Sequence, residues 1–461
     1  AKPVYRGRMQ RAVVAAVVAV LCLIGAMPGA HAQSLEDALV SAYLTNPTLE
    51  AQRAALRATD ELVPQALSDW RPRVAVDSSA VQSDIDSSAG AGSLGGLSTS
   101  VILDQQIYSG GETVANTNRA ESLVRAERAR LTATEQDVLF NAVDAYTTLL
   151  SDLAVLDFAV QNENRLRRQL QATRDRFEVG EVTRTDVAQA EASLSGAISS
   201  RVSAEGNIQQ SRAAYRNIIN QEPSRLVTPA PLSALPETET AAHQLAEAFN
   251  PNVAVAQFNL AAARAEVRVA ESQLLPRLSV RGEFTYAEEP TLNLDWQRDA
   301  SIGASLSVPL YQGGGEYARV RQTKQTVRQR QDDLEATFRN VREEVTAGWQ
   351  ALTTARTRID SIAEQVRAAE IAVEGTRQEA LVGQRTTLDV LDQEQDLFQA
   401  QVDLVSARRE EILASYRLKS AIGQLTVVGI NLPVEPYEPE AYYSDVRNRW
   451  IGLGEDLDGR R

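Results

Sequence analysis

Two periods of hydrophobic patterning divide this chain. In LSVRGEFTY, Leu278, Val280, Phe284 and Tyr286 fall on one face, while Ser279, Arg281, Glu283 and Thr285 fall on the other. In ASIGASLSVPL, Ala300, Ile302, Ala304, Leu306, Val308 and Leu310 oppose Ser301, Gly303, Ser305 and Ser307. A period of two predicts half-buried strands, and RVAVDSSAVQ and LSTSVILDQQIY repeat it more weakly. Strands are therefore expected at about 71–83, 97–109, 276–287 and 299–311, paired as hairpins across the polar loops SDIDSSAGAGSLGG and EEPTLNLDWQRD. At about 10 residues each they match a tilted strand of a membrane barrel. Four strands are too few to close a barrel, so a membrane role requires several chains.

Elsewhere the period is helical. Residues 34–67 read as helix, with a start at Ser34 and Glu36 and Asp37 in the first turn. Residues 112–179 contain neither Gly nor Pro, and 68 helical residues would span about 100 Å. A second long helix is expected over 316–381. Val320, Val327, Leu334, Val341, Ala355 and Ile362 fall on a seven-residue repeat. Phe338, Val345, Leu352, Ile359, Val366 and Val373 fill the partner seam. This is coiled-coil spacing, and helices so long must pair along their length.

The chain is also duplicated. Asn46-Pro47 returns as Asn250-Pro251 and Pro72-Arg73 as Pro276-Arg277; Tyr108-Ser-Gly-Gly returns as Tyr311-Gln-Gly-Gly and Val179-Gly180 as Val382-Gly383. The expected division is an export signal over 1–32, a first repeat over 33–221, a Pro-rich linker over 222–240, a second repeat over 241–425 and a C-terminal extension over 426–461.

Composition narrows the function. Lys2, Arg6, Arg8 and Arg11 precede the apolar run AVVAAVVAVLCLIGA, and Ala30 and Ala32 follow it, which reads as a secretory signal cut after Ala32. Cleavage would leave 43 basic residues against 61 acidic ones, a net charge of −18. That balance argues against nucleic-acid binding. Cys22, the only cysteine, and His31 would leave with the signal, so a Cys or Ser-His-Asp nucleophile and a His/Cys metal site are hard to assemble. No enzyme activity and no cofactor are expected. No stretch after residue 32 reads as a spanning helix, which leaves a barrel as the route into a membrane.

The candidate chemistry lies in LVGQRTTLDVLDQEQ, which places Asp389 and Asp392 three apart on one helix face. EVGEVTRTDVAQAEA echoes it with Asp186 opposite Asp389 and Gln189 opposite Asp392. On residues alone, acids near a helix start can serve simply to complement the macrodipole. Trp349 and Phe338 read as helix packing and Trp296 as a hairpin-loop residue.

Hairpin, long helix, Val-Gly break and return helix, twice over behind an export signal, resemble the TolC family of outer-membrane channel-tunnels. VPLYQGGGE, IYSGGE, VGQRTTLDVLD and SYRLKSAIGQL carry the resemblance, which covers residues 34–425. It implies a mainly α fold with a membrane β-barrel, in which three chains share a twelve-stranded barrel and an α-helical periplasmic tunnel. It further implies an outer-membrane location, outer-membrane lipid around the barrel, a periplasmic adaptor and an inner-membrane ABC or RND transporter. The function so implied is the exit channel of a tripartite efflux pump or type I secretion system, gated at its periplasmic tip.

Carried over residue by residue, Val179, Gly180, Val382 and Gly383 form the adaptor-contacting tips. Thr185, Asp186, Arg385, Asp389 and Asp392 form the pore entrance. Arg385 is the candidate latch on the Asp186 region, although Ala380 stands where some members carry a tyrosine of the closing network. Threefold symmetry would stack Asp389 and Asp392 into two acidic rings able to capture cations. No metal is required. The alternative is a periplasmic coiled-coil adaptor or spacer, which predicts no strands of membrane length. The Pro-rich, aromatic tail either lies along the helices with Trp450 as anchor or is partly disordered beyond about residue 439.

Overall fold

The structure, a computed structural model, describes residues 33–88, 90–232, 234–291 and 294–454. The export signal lies outside the described residues. The short helices α1 (Leu35–Thr45), α2 (Pro47–Asp60) and α3 (Leu62–Leu67) precede strands β1 (Arg73–Ser87) and β2 (Gly90–Ser109), the long helix α4 (Glu112–Glu178) and its return α5 (Arg184–Ile219). The second repeat follows as α6 (Glu239–Phe249), α7 (Pro251–Ser272), β3 (Arg277–Thr291), β4 (Leu294–Ser307), α8 (Gly315–Leu381) and α9 (Thr387–Ala421), with α10 (Ala441–Val446) in the tail.

Local chemistry sets the helix breaks. The Asn46 side chain accepts from Thr48 N–H and that of Asn250 from Asn252 N–H, both at 2.9 Å, with proline next in each case. An Asn cap followed by proline starts a helix, because proline has fixed φ and no N–H to satisfy there. Residues 34–67 are accordingly three helices rather than one.

The chain folds as two compact units. One comprises, among the described residues, 33–45, Asn141–Leu232 and Ala355–Leu413. Its core includes Leu166, Leu170, Ala190, Ala197 and Leu391. Tyr146, fully buried, places its hydroxyl 2.8 Å from the Gln33 carbonyl and 2.7 Å from that of Val227, and accepts from Val227 N–H at 2.9 Å.

The other unit comprises Asn46–Phe140, Ser233–Thr354 and Ala414–Arg461. Val341, Val345, Leu352, Leu418 and Ile422 pack with α6 residues Ala242 and Ala246, and Phe338 and Trp349 border this core as expected. The coiled-coil positions Val320, Val341, Val345, Leu352, Ala355, Ile362 and Val373 are buried, and Val327, Leu334, Phe338, Ile359 and Val366 half-buried.

This second unit carries an antiparallel sheet in the order β1-β2-β3-β4. Its register aligns Val74 with Leu103, Val76 with Val101, Val101 with Phe284 and Leu278 with Leu306. One face is thus apolar across the Val74 and Val76 rows, with Ser78, Thr99 and Arg298 in the row beyond. The other carries Asp77 opposite Ser100, Asp104 opposite Arg281 and Glu283 opposite Ser301.

The strands run 15, 20, 15 and 14 residues, so most of the segments expected as loops are ladder. Pairs such as Asp84 with Ser93 and Ile85 with Gly92 continue on backbone bonds where the apolar alternation has ended. Trp296 is accordingly a strand residue, paired with Glu288. β4 stops at Ser307 rather than 311, just before Pro309, which cannot donate to a ladder.

Two further expectations change. Among the described residues α4 does hold an 18-residue stretch apolar enough by length and composition to cross a membrane, 44% of it buried. Leu139, Ala142, Val143 and Leu149 of α4 are spent on packing rather than exposed to lipid. In the tail, described through residue 454, α10 lies beyond residue 439 and Val446 is fully buried.

Candidate functional site

The turns that join α4 to α5 and α8 to α9 share one backbone. Gly180 N–H donates to Phe177 O at 3.0 Å and Glu181 N–H to Arg176 O at 2.9 Å. Gly383 N–H donates to Ala380 O at 3.3 Å and Gln384 N–H to Glu379 O at 2.9 Å. This is the Schellman pattern of a helix end, and it requires a left-handed residue. Gly180 and Gly383 supply it with φ of +79° each.

The return helices then start identically. Asp186 Oδ2 accepts from Thr183 N–H and Oγ1–H, both at 2.7 Å. Asp389 Oδ2 accepts from Thr386 N–H at 2.9 Å and from its hydroxyl at 2.8 Å. Asp186 and Asp389 N–H donate back to the threonine hydroxyls at 3.3 and 3.2 Å. Each Thr-x-x-Asp is a capping box with aspartate in the third helical position. The backbone bond from Thr386, then its hydroxyl, holds the Asp389 carboxyl below the ordinary carboxylate range. The same two bonds from Thr183 do so for Asp186. Both acids therefore have a structural task beyond a general dipole effect, and the Thr-x-x-Asp spacing already spelled it.

The cap engages Oδ2 of Asp389 and leaves Oδ1 without a protein partner. Asp392, one helical turn on, is exposed and makes no hydrogen bond or ion pair among the described residues. Thr185 is the second residue of α5 and is also exposed. Val179 and Val382, each 72% exposed, put apolar surface at the two turns.

Arg385 donates from Nε to Glu379 Oε2 at 3.0 Å, closing its own turn, and does not meet Asp186 within the chain. The first turn has a matching clasp of reversed polarity, Arg176 Nε to Glu181 Oε2 at 3.1 Å. These clasps join positions five or six apart through a turn, a distance no helical or strand periodicity reports. Deeper in the same unit Arg165 meets the buried Glu394 at 2.5 Å, and Glu163 takes both Arg167 and Arg201. Among the described residues no group of three or more His, Cys, Asp or Glu side chains is arranged to hold a metal.

A duplicated hairpin-and-long-helix unit, with strands of membrane length and an apolar outer face, defines an outer-membrane channel protein. The chain belongs to the outer membrane efflux protein family, whose model matches residues 38–221 and 242–424. It is 32% identical to the outer membrane efflux protein BepC of Brucella suis over 94% of both chains. It is 30% identical to the outer membrane protein TolC of Vibrio cholerae, over 72% of this chain and 77% of that one. The fold matches the Campylobacter jejuni CmeC outer membrane channel with a TM-score of 0.79 at 16% identity, covering 90% of this chain and 89% of that one. The protein is an outer-membrane export channel of the efflux and secretion type, and the adaptor or spacer reading is not supported.

Proposed function

We propose that three copies of this chain form one duct, which hands cargo from an inner-membrane ABC or RND transporter, through a periplasmic adaptor, to the cell exterior. The observation that carries this is the sheet. It has one apolar and one polar face, and β1 and β4 each leave an edge unpaired. Free edges buried in a bilayer are untenable, since lipid offers backbone groups no hydrogen bonds. Closure by two further copies satisfies every edge and gives twelve strands.

The gate in this reading is the pair of helical turns. Val179, Gly180, Val382 and Gly383 offer the adaptor an apolar contact. Asp389 and Asp392 become two stacked acidic rings around a threefold axis, and the low carboxyl pKa of Asp389 keeps its ring charged in mildly acidic surroundings. Arg385 has a half-exposed partner in Glu379, a kind of pair worth under about 1 kcal/mol. It is therefore free to exchange Glu379 for the Thr185–Asp186 cap of a neighbouring chain.

Single-channel conductance in planar bilayers tests the gate. Arg385→Ala should raise conductance, and Glu379→Gln, which releases Arg385 for the neighbour, should lower it or leave it low. Conductance unchanged in Arg385→Ala, or raised by Glu379→Gln, would defeat the latch. Cross-linking that captures no trimer would defeat the assembly.

A further inference from the structure

After α9 the tail is fastened along α2 and α4 by a ladder of contacts. Val427 N–H donates to Glu135 Oε1 at 2.7 Å. The Arg53 guanidinium lies 5.0 Å from the Tyr437 ring centre. Arg128 pairs with Glu440 at 2.7 Å and lies 5.0 Å from the centre of Tyr443. Tyr442 donates to Glu61 Oε1 at 2.8 Å, and Arg447 to Glu121 Oε1 at 3.1 Å. Finally Arg71 donates to the Arg449 carbonyl at 2.7 Å and lies 5.0 Å from the Trp450 ring centre.

The order of these contacts gives the tail a direction. Its partners on α4 step from 135 to 128 to 121, two turns or about 10 Å each time. Arg71, the last partner, stands two residues before β1. The tail therefore climbs to the end of the sheet where β1 begins and β4 finishes. At that level apolar side chains emerge: Trp450 is 66% exposed, Ile451 90% and Leu453 fully. The same end of the sheet exposes Trp70, Tyr108, Leu310 and Tyr311, with Tyr108 in register with Leu278 of the apolar face.

Isolated exposed apolar residues need no explanation, but a fastened strap that brings Trp-Ile-Gly-Leu beside a membrane sheet does. Tryptophan prefers the boundary between headgroups and acyl chains, and neighbouring aliphatic side chains gain by entering the acyl region. We propose that residues 450–453 form a lipid anchor, seated in the periplasmic leaflet of the outer membrane and continuous with the apolar face of the sheet. The strap then ties α2 and α4 to the bilayer at a second point, independent of the barrel. This rests on the outer-membrane reading of the sheet.

The experiment uses the full-length protein with Cys22→Ser and a single new thiol, Leu453→Cys or Ile302→Cys, carrying a nitroxide and reconstituted in liposomes. Collision with oxygen, which partitions into lipid, is compared with collision with a water-soluble nickel chelate. Oxygen should dominate at both positions. Nickel dominating at 453 but not 302 means the strap end faces water, and the anchor is wrong. Low access to both reagents at 453 alone means a neighbouring subunit covers it, which equally overturns the proposal. Nickel dominating at 302 sinks the barrel reading and the anchor with it. Ile451→Cys repeats the measurement should Leu453→Cys fail to assemble.

Discussion

Asp60, at the end of α2, is fully buried, and neither carboxylate oxygen has a hydrogen-bond partner. Arg128 is the nearest compensating charge, but its guanidinium is engaged by Glu440 and Tyr443 of the strap. Burial therefore dominates and pushes the Asp60 pKa up to about 6 from 3.8, against the pull of Arg128 and with a smaller push from Glu61. Between those two values the folded state binds more protons than the unfolded one, so stability falls as pH rises. Above about 6 the full cost is present, and it vanishes below 3.8. Some two pKa units correspond to about 3 kcal/mol.

Asp60→Asn keeps the shape and removes the charge. It should stabilise the protein at pH 7.5, by less than that amount because the new amide also lacks partners, and should flatten the stability profile between pH 4 and 6. Denaturant midpoints at pH 4.5, 5.5, 6.5 and 7.5 measure this. Burial also raises the pKa of Glu135, Asp137 and Glu344. Only the difference between parent and variant therefore isolates Asp60. Parallel profiles, or a variant less stable at pH 7.5, would refute the reasoning and show Asp60 ion-paired with Arg128 in solution.

Asp392→Asn should lower cation selectivity, read as reversal potential in a salt gradient, with no loss of stability. Asp389→Asn should lower selectivity and also weaken the α9 start, read as faster amide exchange over its first turn; equal exchange in the two variants would remove the capping role. Gly383→Ala adds a methyl that meets no atom within 4 Å, so its whole effect is left-handed strain, about 1 kcal/mol of turn stability. Unchanged exchange at Gln384 N–H would contradict it. Tyr146→Phe removes a buried hydroxyl that bridges Gln33 and Val227, while the Val227 N–H keeps the Gln33 carbonyl as acceptor, and should cost about 0.5–1.5 kcal/mol in denaturant unfolding. A neutral outcome would mean water replaces the hydroxyl.

What sequence pattern disclosed, and what it hid, follows from the physics of each feature. The coiled-coil seam was legible because burial along a helix repeats every seven residues, and Val341, Val345 and Leu352 could be placed before any coordinates. The strand ends were not, because Gly92, Ser93 and Asp84 continue a ladder through backbone bonds that leave no hydrophobic alternation. The tail was undecidable because its partners Arg53, Glu61, Arg71 and Arg128 lie more than 300 residues away in sequence. At the turns, the Thr-x-x-Asp spacing encodes the caps that hold Asp186 and Asp389. Glu379 was invisible because its meeting with Arg385 exists only once the glycine has reversed the chain.

The capping boxes also relocate the asymmetry between the two halves. Asp186 and Asp389 do the same work with the same geometry, so the aspartate pair does not distinguish the turns. Two other differences do. Gln189 stands opposite Asp392, which confines the second acid to the α8–α9 hairpin. The clasps are reversed as well: α4 carries Arg176 in its last turn, between Asp175 and Glu178, whereas α8 carries Glu379 and no basic residue there. The arginine of the second clasp sits beyond the glycine instead. The two turns thus differ in which side of the glycine holds the arginine of the clasp, and Asp392 lies on the α8–α9 hairpin.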